Sequence, residues 1–283
     1  MSVPAVFMNH GGGPMPLLGE PSHVKLTESM RSLPSALALN TTLKAILVIS
    51  AHWEAPNFNV ITGNNVPLLF DYSGFPPESY KFQYTPPGAQ TLAEDIVTLL
   101  NNHGIASKQI TIQDRKGYDH GVFVPLMCSF PKADVPVVQL SLKQGLDAAE
   151  HIAVGQILAP LRDQGVLLYG SGMSYHNMRN FMGGSSGNEE SVAFDTWLHD
   201  TLSLKNVKER LEQLSQWEKL APAARRCHPR EEHLAPLFVI AGAGSKSDDV
   251  VTRTFSGEVL GQKVSSFAFG GGSGGGGLTK SEL

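Results

Sequence analysis

Cysteine is scarce in this chain of 283 residues, which contains only Cys128 and Cys227. Two cysteines are too few for the disulfide framework that holds small secreted domains together. A large excess of one charge is also missing, because 22 basic residues stand against 26 acidic ones and the formal net charge is −4. This balance gives no indication of nucleic acid or an anionic membrane surface as a partner.

Long apolar runs and an N-terminal targeting pattern are absent as well. No uninterrupted apolar stretch approaches the roughly 20 residues of a membrane-spanning helix. The first residues lack a basic region followed by an apolar core, so no secretory signal is visible. We therefore expect a cytoplasmic globular protein without a membrane partner, present as a monomer or a small homo-oligomer.

The sequence is unusual instead in its ten histidines, several of which follow short apolar runs. Residues 45–49 are apolar and rich in β-branched side chains, and His52 follows them. Residues 3–8 lead in the same way to His10, which three glycines follow, and residues 165–169 lead a little less directly to His176. Ligands bind at strand ends in α/β sheets. We therefore expect these histidines to converge on one pocket.

Strand-like and helix-like patterns alternate along the chain, which predicts an α/β fold with a central mixed or mostly parallel sheet flanked by helices. We expect one catalytic domain over residues 1–269. Among its elements we expect a short strand at 109–113 and a helix at 230–243, with His233 near the start of that helix. Residues 270–283 begin with seven glycines and one serine, and predict a flexible tail, native or appended, outside the fold.

The histidines are candidate metal ligands, because neutral imidazole is the commonest side-chain ligand and suits iron, zinc and copper. Each also has a simpler interpretation. His10 and His52 could be loop histidines bonded to the backbone, and His176 could belong to a turn. His233 could face solvent, and the acid next to His120 could cap a helix. The remaining histidines expected to be solvated are His23, His103, His151 and His199.

Five short motifs occur in a characteristic order along the chain. They are His10-Gly11-Gly12-Gly13-Pro14-Met15, Ser50-Ala51-His52-Trp53, Gly117-Tyr118-Asp119-His120-Gly121, His176-Asn177-Met178-Arg179 and Glu232-His233-Leu234-Ala235-Pro236-Leu237. Together they resemble the motifs of the DOPA extradiol dioxygenases, a family of LigB-type ring-opening dioxygenases. One departure is Gly12-Gly13, where many members have Gly-Ser or Gly-Thr. We expect this difference to alter the loop more than metal ligation.

The resemblance implies an enzyme that opens the ring of a small catechol, such as 3,4-dihydroxyphenylalanine, with dioxygen to give a semialdehyde. It implies a mononuclear non-haem metal, with Fe(II) for activity and Zn(II) as a possible bound ion. The ligands would be His10, His52 and His233. His176 would be the acid–base group, or a fourth ligand in a resting zinc form. We expect His120 to be a second proton donor or to hydrogen-bond to bound dioxygen.

Aromatic side chains near these motifs are candidates for stacking on the catechol ring, and the candidates are Trp53, Tyr72 and Phe75. Core packing is an equally good interpretation of each one taken singly. Two other functions also stay open on the sequence alone. One is a zinc-dependent hydrolase or other Lewis-acid enzyme on the same scaffold, and the other is a non-catalytic metal- or ligand-binding protein.

Overall fold

The computed structural model describes residues 2–39, 43–183 and 189–270. One sheet contains the strands β1 (Ala5–Asn9), β2 (Ala45–Ala55), β3 (Phe58–Thr62), β4 (Ser107–Gln109), β5 (Val137–Lys143), β6 (Val166–Gly172), β7 (Val251–Val259) and β8 (Gln262–Phe269). Their order across the sheet is β4-β3-β5-β2-β6-β1-β8-β7. Four neighbouring pairs are parallel and three are antiparallel. The predicted α/β fold with a mixed, mostly parallel sheet is confirmed.

The helices flank this sheet. They are α1 (Met15–Leu18), α2 (Val24–Ala36), α3 (Gln90–Asn102), α4 (Ile112–Arg115), α5 (His120–Ser129), α6 (Ala148–Leu158), α7 (Met178–Met182), α8 (Glu189–Leu202), α9 (Val207–Ser215), α10 (Trp217–Leu220), α11 (Ala224–Cys227) and α12 (Ala235–Ala243). Short 3₁₀ segments lie at Pro21–His23, Pro77–Tyr80 and Ala159–Gln164. Among the described residues, no helix is long and apolar enough to cross a membrane.

The centre of the sheet determines where the histidines meet. Strands β1, β6, β2 and β5 run parallel side by side, and every residue of β1 and β6 is buried. The carboxyl ends of these strands therefore lie along one edge of the sheet. In the register of the sheet, Asn9 is beside Gly172 and Ser50 is beside Ser171. Three segments are therefore neighbours in space: the residues after β1, the residues after β6 and the last part of β2.

Helix α12 is packed unusually closely beneath this edge. All nine of its residues are buried, and it lies against α6 through two glycines. A Cβ added at Gly155 would lie 1.9 Å from the carbonyl oxygen of Val239, and one added at Gly242 would lie 2.0 Å from that of Ile152. Only glycine permits this separation of the two backbones. The close packing fixes the position of the turn that leads into α12.

Two local predictions are wrong. The strand expected at 109–113 ends at Gln109, and α4 begins at Ile112 because Thr111 caps it, accepting a hydrogen bond from the Asp114 N–H at 3.1 Å. The helix expected from residue 230 begins at Ala235, where Pro236 in the first turn needs no N–H partner. His233 therefore lies in the turn before α12.

One strand and the tail complete the comparison with the sequence patterns. Strand β7 was not predicted, because its mixture of polar and apolar residues forms a half-exposed edge strand whose partner is β8. The expected flexible tail, apart from Gly270, lies outside the described residues.

Candidate metal centre and active site

Three histidines from neighbouring elements meet at the carboxyl edge of the sheet. His10 directly follows β1, His52 lies near the end of β2, and His120 is the first residue of α5. The Nε2 atoms of His10 and His52 are 3.2 Å apart, and the ring centres of His52 and His120 are 3.9 Å apart. One ring nitrogen from each of the three lies within 4.8 Å of the others.

The two remaining predicted histidines complete the cluster. The ring centre of His233 is 4.9 Å from that of His52 and 5.3 Å from that of His10. His176 stacks on His233 at 3.4 Å between ring centres, with an angle of 15° between the ring planes. The structure therefore brings all five predicted histidines together around one point.

The grouping within the cluster differs from the expected one in a single respect. The sequence motifs put His233 with His10 and His52, whereas the group whose ligand atoms all lie within 4.8 Å of one another contains His120 with those two. His233 forms a second group with His176 and the carboxylate of Glu232. Both His120 and His233 are thus placed to complete a ligand set with His10 and His52.

Each histidine directs its Nδ1 atom towards a protein oxygen. The Nδ1 of His10 lies 3.0 Å from Ser171 Oγ. Asp71 faces two histidines, with its Oδ1 2.8 Å from the Nδ1 of His120 and its Oδ2 3.6 Å from the Nδ1 of His52. Glu232 Oε1 faces the other two, at 2.9 Å from the Nδ1 of His233 and 3.4 Å from the Nδ1 of His176. Outer acceptors of this kind fix the orientation and tautomer of ligating histidines. The sequence motifs did not identify Asp71, Ser171 or Glu232 in this role.

The tautomer of His10 follows from its hydrogen bonds. The hydroxyl of Ser171 donates to the carbonyl oxygen of Gly121, so it accepts from the Nδ1–H of His10. The Nε2 atom of His10 therefore carries the lone pair. That atom faces His52 Nε2 at 3.2 Å, so His10 presents a ligand atom towards the centre of the cluster.

The charges of the cluster are set by burial and by the two carboxylates. Burial lowers the pKa of His10 and of His52 well below the ordinary value, and repulsion from the neighbouring histidines lowers it further. Burial likewise lowers the pKa of His233 to about 4, although Glu232 opposes the shift. These three histidines are neutral at pH 7, which is the form that binds a metal.

Burial acts in the opposite direction on the pKa values of the two carboxylates. Burial alone would raise the pKa of Asp71 and of Glu232. Hydrogen bonds from His120 to Asp71, and from His176 and His233 to Glu232, outweigh burial and lower both pKa values. Both groups are therefore anionic acceptors at neutral pH.

A buried polar network supports the site from below. Asp119 is fully buried and accepts hydrogen bonds at 2.6 Å from each of Ser50 Oγ, Arg115 Nη2 and Gln139 Nε2. These contacts join α5 to β2 and β5 at the point where His52 and His120 project. A buried carboxylate with this many partners holds the two histidines in a fixed relative position.

The glycine loop after His10 is also held in place. Gly11 has a φ of 81°, and a Cβ at that position would lie 2.7 Å from the ring of His23. The Gly12 N–H donates to His23 Nε2 at 3.0 Å. The expectation that His23 is solvated is therefore wrong: it is buried, and burial lowers its pKa to about 4.

His151 was also expected to be solvated, and that expectation is wrong as well. It is buried, and its Nε2 accepts from the Lys143 N–H at 3.2 Å while its Nδ1 lies 2.7 Å from the Asp147 carbonyl oxygen. The backbone of the loop after β5 folds over it and satisfies both nitrogens.

A cavity of about 490 Å³ opens over the histidine cluster. Tyr72 and Phe75, which belong to the long connection after β3, line it as predicted candidates. Further apolar lining that the sequence patterns did not single out comes from Met15, Met173, Met178, Phe181, Val259 and Leu260. The walls are thus mainly apolar and aromatic, and the polar groups are concentrated at the histidines.

Trp53 does not line this cavity, which corrects its prediction as a substrate-binding residue. Side chains alternate between the two faces of a strand, so Trp53 and His52 point in opposite directions. Trp53 is 6% exposed, and the guanidinium carbon of Arg115 lies 4.9 Å from its ring centre. Core packing is the interpretation that the structure supports for this residue.

The donor set fits a divalent first-row metal ion. Neutral imidazoles with one nitrogen bonded to an outer acceptor and the other directed at a common point match the requirements of iron and zinc. The ring nitrogens of His10, His52 and His120, all within 4.8 Å of one another, are close enough to share one ion.

Comparisons with known proteins agree with this arrangement. Residues 3–268 match the family model described as the catalytic LigB subunit of aromatic ring-opening dioxygenase. The chain is 36% identical to the 4,5-DOPA dioxygenase extradiol of Beta vulgaris over 90% of this chain and 92% of that one. It is 33% identical to dioxygenase tasH of Hapsidospora irregularis over 95% and 86%. An uncharacterized protein from Escherichia coli K12, JW3007, has a similar crystal structure, with a TM-score of 0.71 and 27% identity over 95% of this chain and all of that one.

Proposed function

Because the chain belongs to the LigB family of extradiol aromatic ring-opening dioxygenases, we propose that it opens the ring of 3,4-dihydroxyphenylalanine or a similar small catechol to give a semialdehyde. Membership of this family makes the chain an extradiol dioxygenase, and implies a histidine-bound metal, a catechol and dioxygen. Relatives named 4,5-DOPA dioxygenase extradiol are 32–36% identical, which motivates the particular catechol.

The observation that carries the proposal is the convergence of five histidines on one cavity with aromatic walls. A planar aromatic substrate fits such walls, and a catechol places two adjacent oxygens at one edge of its ring. The cavity offers room for an aromatic ring beside the proposed metal ligands.

We propose His10, His52 and His233 as the metal ligands, with Fe(II) as the active ion and Zn(II) as a possible bound ion. The lowered pKa of all three supports this choice, since each stays neutral well below pH 7. His120 is the rival third ligand because of its position beside His10 and His52. When bound, such an ion supplies a Lewis-acid centre that brings the catechol oxygens and dioxygen together.

The protein's own residues orient the ring. Tyr72 lies 5.8 Å from His120 and 5.5 Å from Phe75, measured between ring centres, so these side chains form one aromatic wall. The Tyr72 hydroxyl donates to the Ser79 carbonyl oxygen at 2.6 Å, which fixes the ring. Edge-to-face or offset contacts with this wall would hold a catechol with its oxygens towards the histidines.

His176 is the proposed proton-transfer residue. Its Nδ1 faces the anionic Glu232, so Nδ1 carries the hydrogen and Nε2 is free to take a proton from a catechol hydroxyl. Glu232 then stabilises the imidazolium, and the same Nε2–H can return the proton later in the reaction. His120, whose Nδ1 bonds to Asp71, is the proposed second donor.

The test is catechol-dependent oxygen uptake by protein reconstituted with Fe(II) without air, followed by detection of a yellow ring-opened product. We expect uptake with the native chain, and expect His176→Ala to lower kcat by about 10²–10⁴-fold while the metal stays bound. His103→Ala, which removes an exposed histidine far from the cluster, is the matched control.

Two results would refute the proposal in different ways. No oxygen uptake with a broad panel of catechols would exclude the dioxygenase reaction and leave the zinc hydrolase or another Lewis-acid enzyme. Unchanged biological activity of His176→Ala, with metal and ligand still bound, would support a binding protein without catalysis.

We also retain three broader proposals. A single catalytic domain over residues 1–269 is supported by one sheet that includes strands from both ends of that range. A cytoplasmic location is in keeping with two buried cysteines that form no disulfide. A monomer or a small homo-oligomer, with no nucleic-acid partner, remains our expectation for the assembly.

A further inference from the structure

A second groove of about 490 Å³ adjoins the histidine cavity. The two spaces share His176 and Met178 in their lining, so the groove begins where the catalytic cavity ends. Four arginines line it, namely Arg179, Arg225, Arg226 and Arg230, and Glu232 is the single acidic residue in that lining. An arginine-lined groove therefore leads directly to the proposed proton-transfer residue.

Three of these arginines are already paired with carboxylates. Arg225 contacts Glu218 and Glu231, Arg226 contacts Glu190, and Arg230 contacts Glu54 and Glu232. Arg179 differs from them, because its guanidinium has no ion-pair or hydrogen-bond partner among the residues that the structure describes. Within the described part of the chain, Arg179 is thus the one uncompensated cation of the groove.

The backbone of Arg179 is nevertheless fixed. It lies in the first turn of α7, where its N–H donates to the side chain of the capping residue Asn177 at 3.0 Å. The Nδ2 of Asn177 donates in turn to the carbonyl oxygen of Arg226 at 2.7 Å, which joins α7 to the opposite wall of the groove. Arg179 is therefore presented from a fixed position three residues after His176.

We propose that this groove is a subsite for a carboxylate on the side chain of the catechol ring, and that Arg179 binds it. The proposal rests on the proposed function and narrows its substrate to catechols that carry an acidic side chain. A single free guanidinium matches a single carboxylate, which it can hold with two parallel hydrogen bonds. A cationic side chain in the same place would be repelled by the unpaired guanidinium of Arg179.

The experiment compares substrates that differ only in side-chain charge. We would measure kcat/KM of the iron-loaded enzyme for 3,4-dihydroxyphenylpropionate, 4-methylcatechol and dopamine, which are anionic, neutral and cationic. We expect the order anionic, then neutral, then cationic. Arg179→Gln should lower kcat/KM for the anionic catechol about tenfold, mainly by raising KM, since one charge-assisted contact is lost.

The variants separate charge recognition from a structural role. In Arg179→Gln, kcat/KM for 4-methylcatechol should change by less than about twofold, because no charged contact is involved. Arg179→Lys should restore part of the preference for the anion, and Arg179→Glu should invert it towards dopamine. Arg31→Gln, which removes an exposed arginine on α2, is the control that should change none of the three substrates.

A binding measurement keeps the subsite distinguishable from the proposed reaction. Titration calorimetry without air would give the Kd of the same three catechols for the metal-loaded protein and for Arg179→Gln. A tenfold loss confined to the anion supports the subsite even if no catechol is oxidised, in which case the proposed function fails alone. An equal loss for the anion and 4-methylcatechol, or no loss for either, overturns the subsite.

Discussion

The histidine cluster has two sides, and each of them contains one carboxylate. The Asp71 side consists of Asp71, His10, His52 and His120, and the Glu232 side consists of Glu232, His176 and His233. On the Asp71 side, His10 directly follows β1, His52 lies in β2 and His120 begins α5, and the buried network of Asp119 lies beneath them. Residues of the Glu232 side come from segments outside the strands and helices, and His176 and Glu232 border the arginine groove.

This difference separates two tasks of the site. Metal ligands must keep a fixed geometry, which the strand ends and the buried Asp119 provide. A group that transfers protons must reach the substrate, and His176 lines both the histidine cavity and the adjoining arginine groove. The proposed ligand set crosses the boundary, because it takes His233 from the Glu232 side. Three experiments examine that boundary.

The largest effect is expected from removing single histidines and measuring bound metal. His10→Ala, His52→Ala and His233→Ala should each weaken metal affinity by more than about 100-fold, since losing a ligand exceeds the loss from an outer contact. His120→Ala should keep the metal and lose activity. Metal content by plasma emission spectrometry, with circular dichroism as a check of folding, measures this directly.

The opposite pattern would redraw the boundary. If His120→Ala loses the metal while His233→Ala keeps it, the ligands all belong to the Asp71 side, and the Glu232 side provides only proton transfer and substrate contacts.

The next effect concerns the two carboxylates. Asp71→Asn should weaken metal affinity about 10–100-fold, because a charged outer acceptor of His52 and His120 is lost. Glu232→Gln should also lower kcat at saturating metal about tenfold or more, and alter its pH dependence, because His176 loses the anion that stabilises its protonated form. Glu231→Gln, next in sequence but paired with Arg225, is the control. Identical kcat values for the Asp71 and Glu232 variants would contradict the division of tasks.

The smallest effect is on stability in acid. Each side rests on a buried neutral histidine: His23 accepts from the Gly12 N–H beside His10, and His228 Nε2 donates to the carbonyl oxygen of Ser174 near His176. Burial lowers the pKa of His23 to about 4 and that of His228 to about 3. Above pH 6.5 both histidines are mainly neutral in the folded chain and in the unfolded chain. Their protonation therefore affects the free energy of unfolding mainly below that pH.

As the pH falls from 6.5 towards 4, these two histidines bind protons in the unfolded chain but stay neutral in the folded chain. The free energy of unfolding therefore decreases. We expect each histidine to contribute about 1–3 kcal/mol to this decrease. Urea unfolding of the native chain and of His23→Gln between pH 4 and 7.5 measures it, and the variant should show the shallower pH dependence. A parallel dependence for both proteins would contradict the assignment to His23.

Much of the fold and cluster was predictable from local patterns. Buried parallel strands appear in a sequence as continuous apolar runs, so β1, β2, β5 and β6 could be recognised. The carboxyl ends of parallel strands lie at the same edge of a sheet. Histidines placed after such runs were therefore expected to meet, as His10 and His52 do.

Other features depend on contacts between distant segments. Asp71 lies in a connection with little regular structure, and its partner His120 is 49 residues away, so no local spacing reveals the pair. His23 and His151 have the local surroundings of solvated residues, and only the packing of neighbouring loops buries them. The exclusion of Trp53 from the cavity is different, because it could have been predicted from the sequence. Side chains alternate along a strand, so if His52 faces the pocket, Trp53 faces away from it.

By itself, the sequence determined the α/β class, the strand ends that carry His10 and His52, and the family through motifs in a fixed order. The tertiary structure decided which acceptor orients each histidine, which aromatic residues face the cavity, and which arginine in the groove has no carboxylate partner among the residues described. The physical reason is the separation along the chain over which each interaction acts. Apolar periodicity acts between neighbouring residues, whereas hydrogen bonds and ion pairs in this site join segments that only the folded chain brings together.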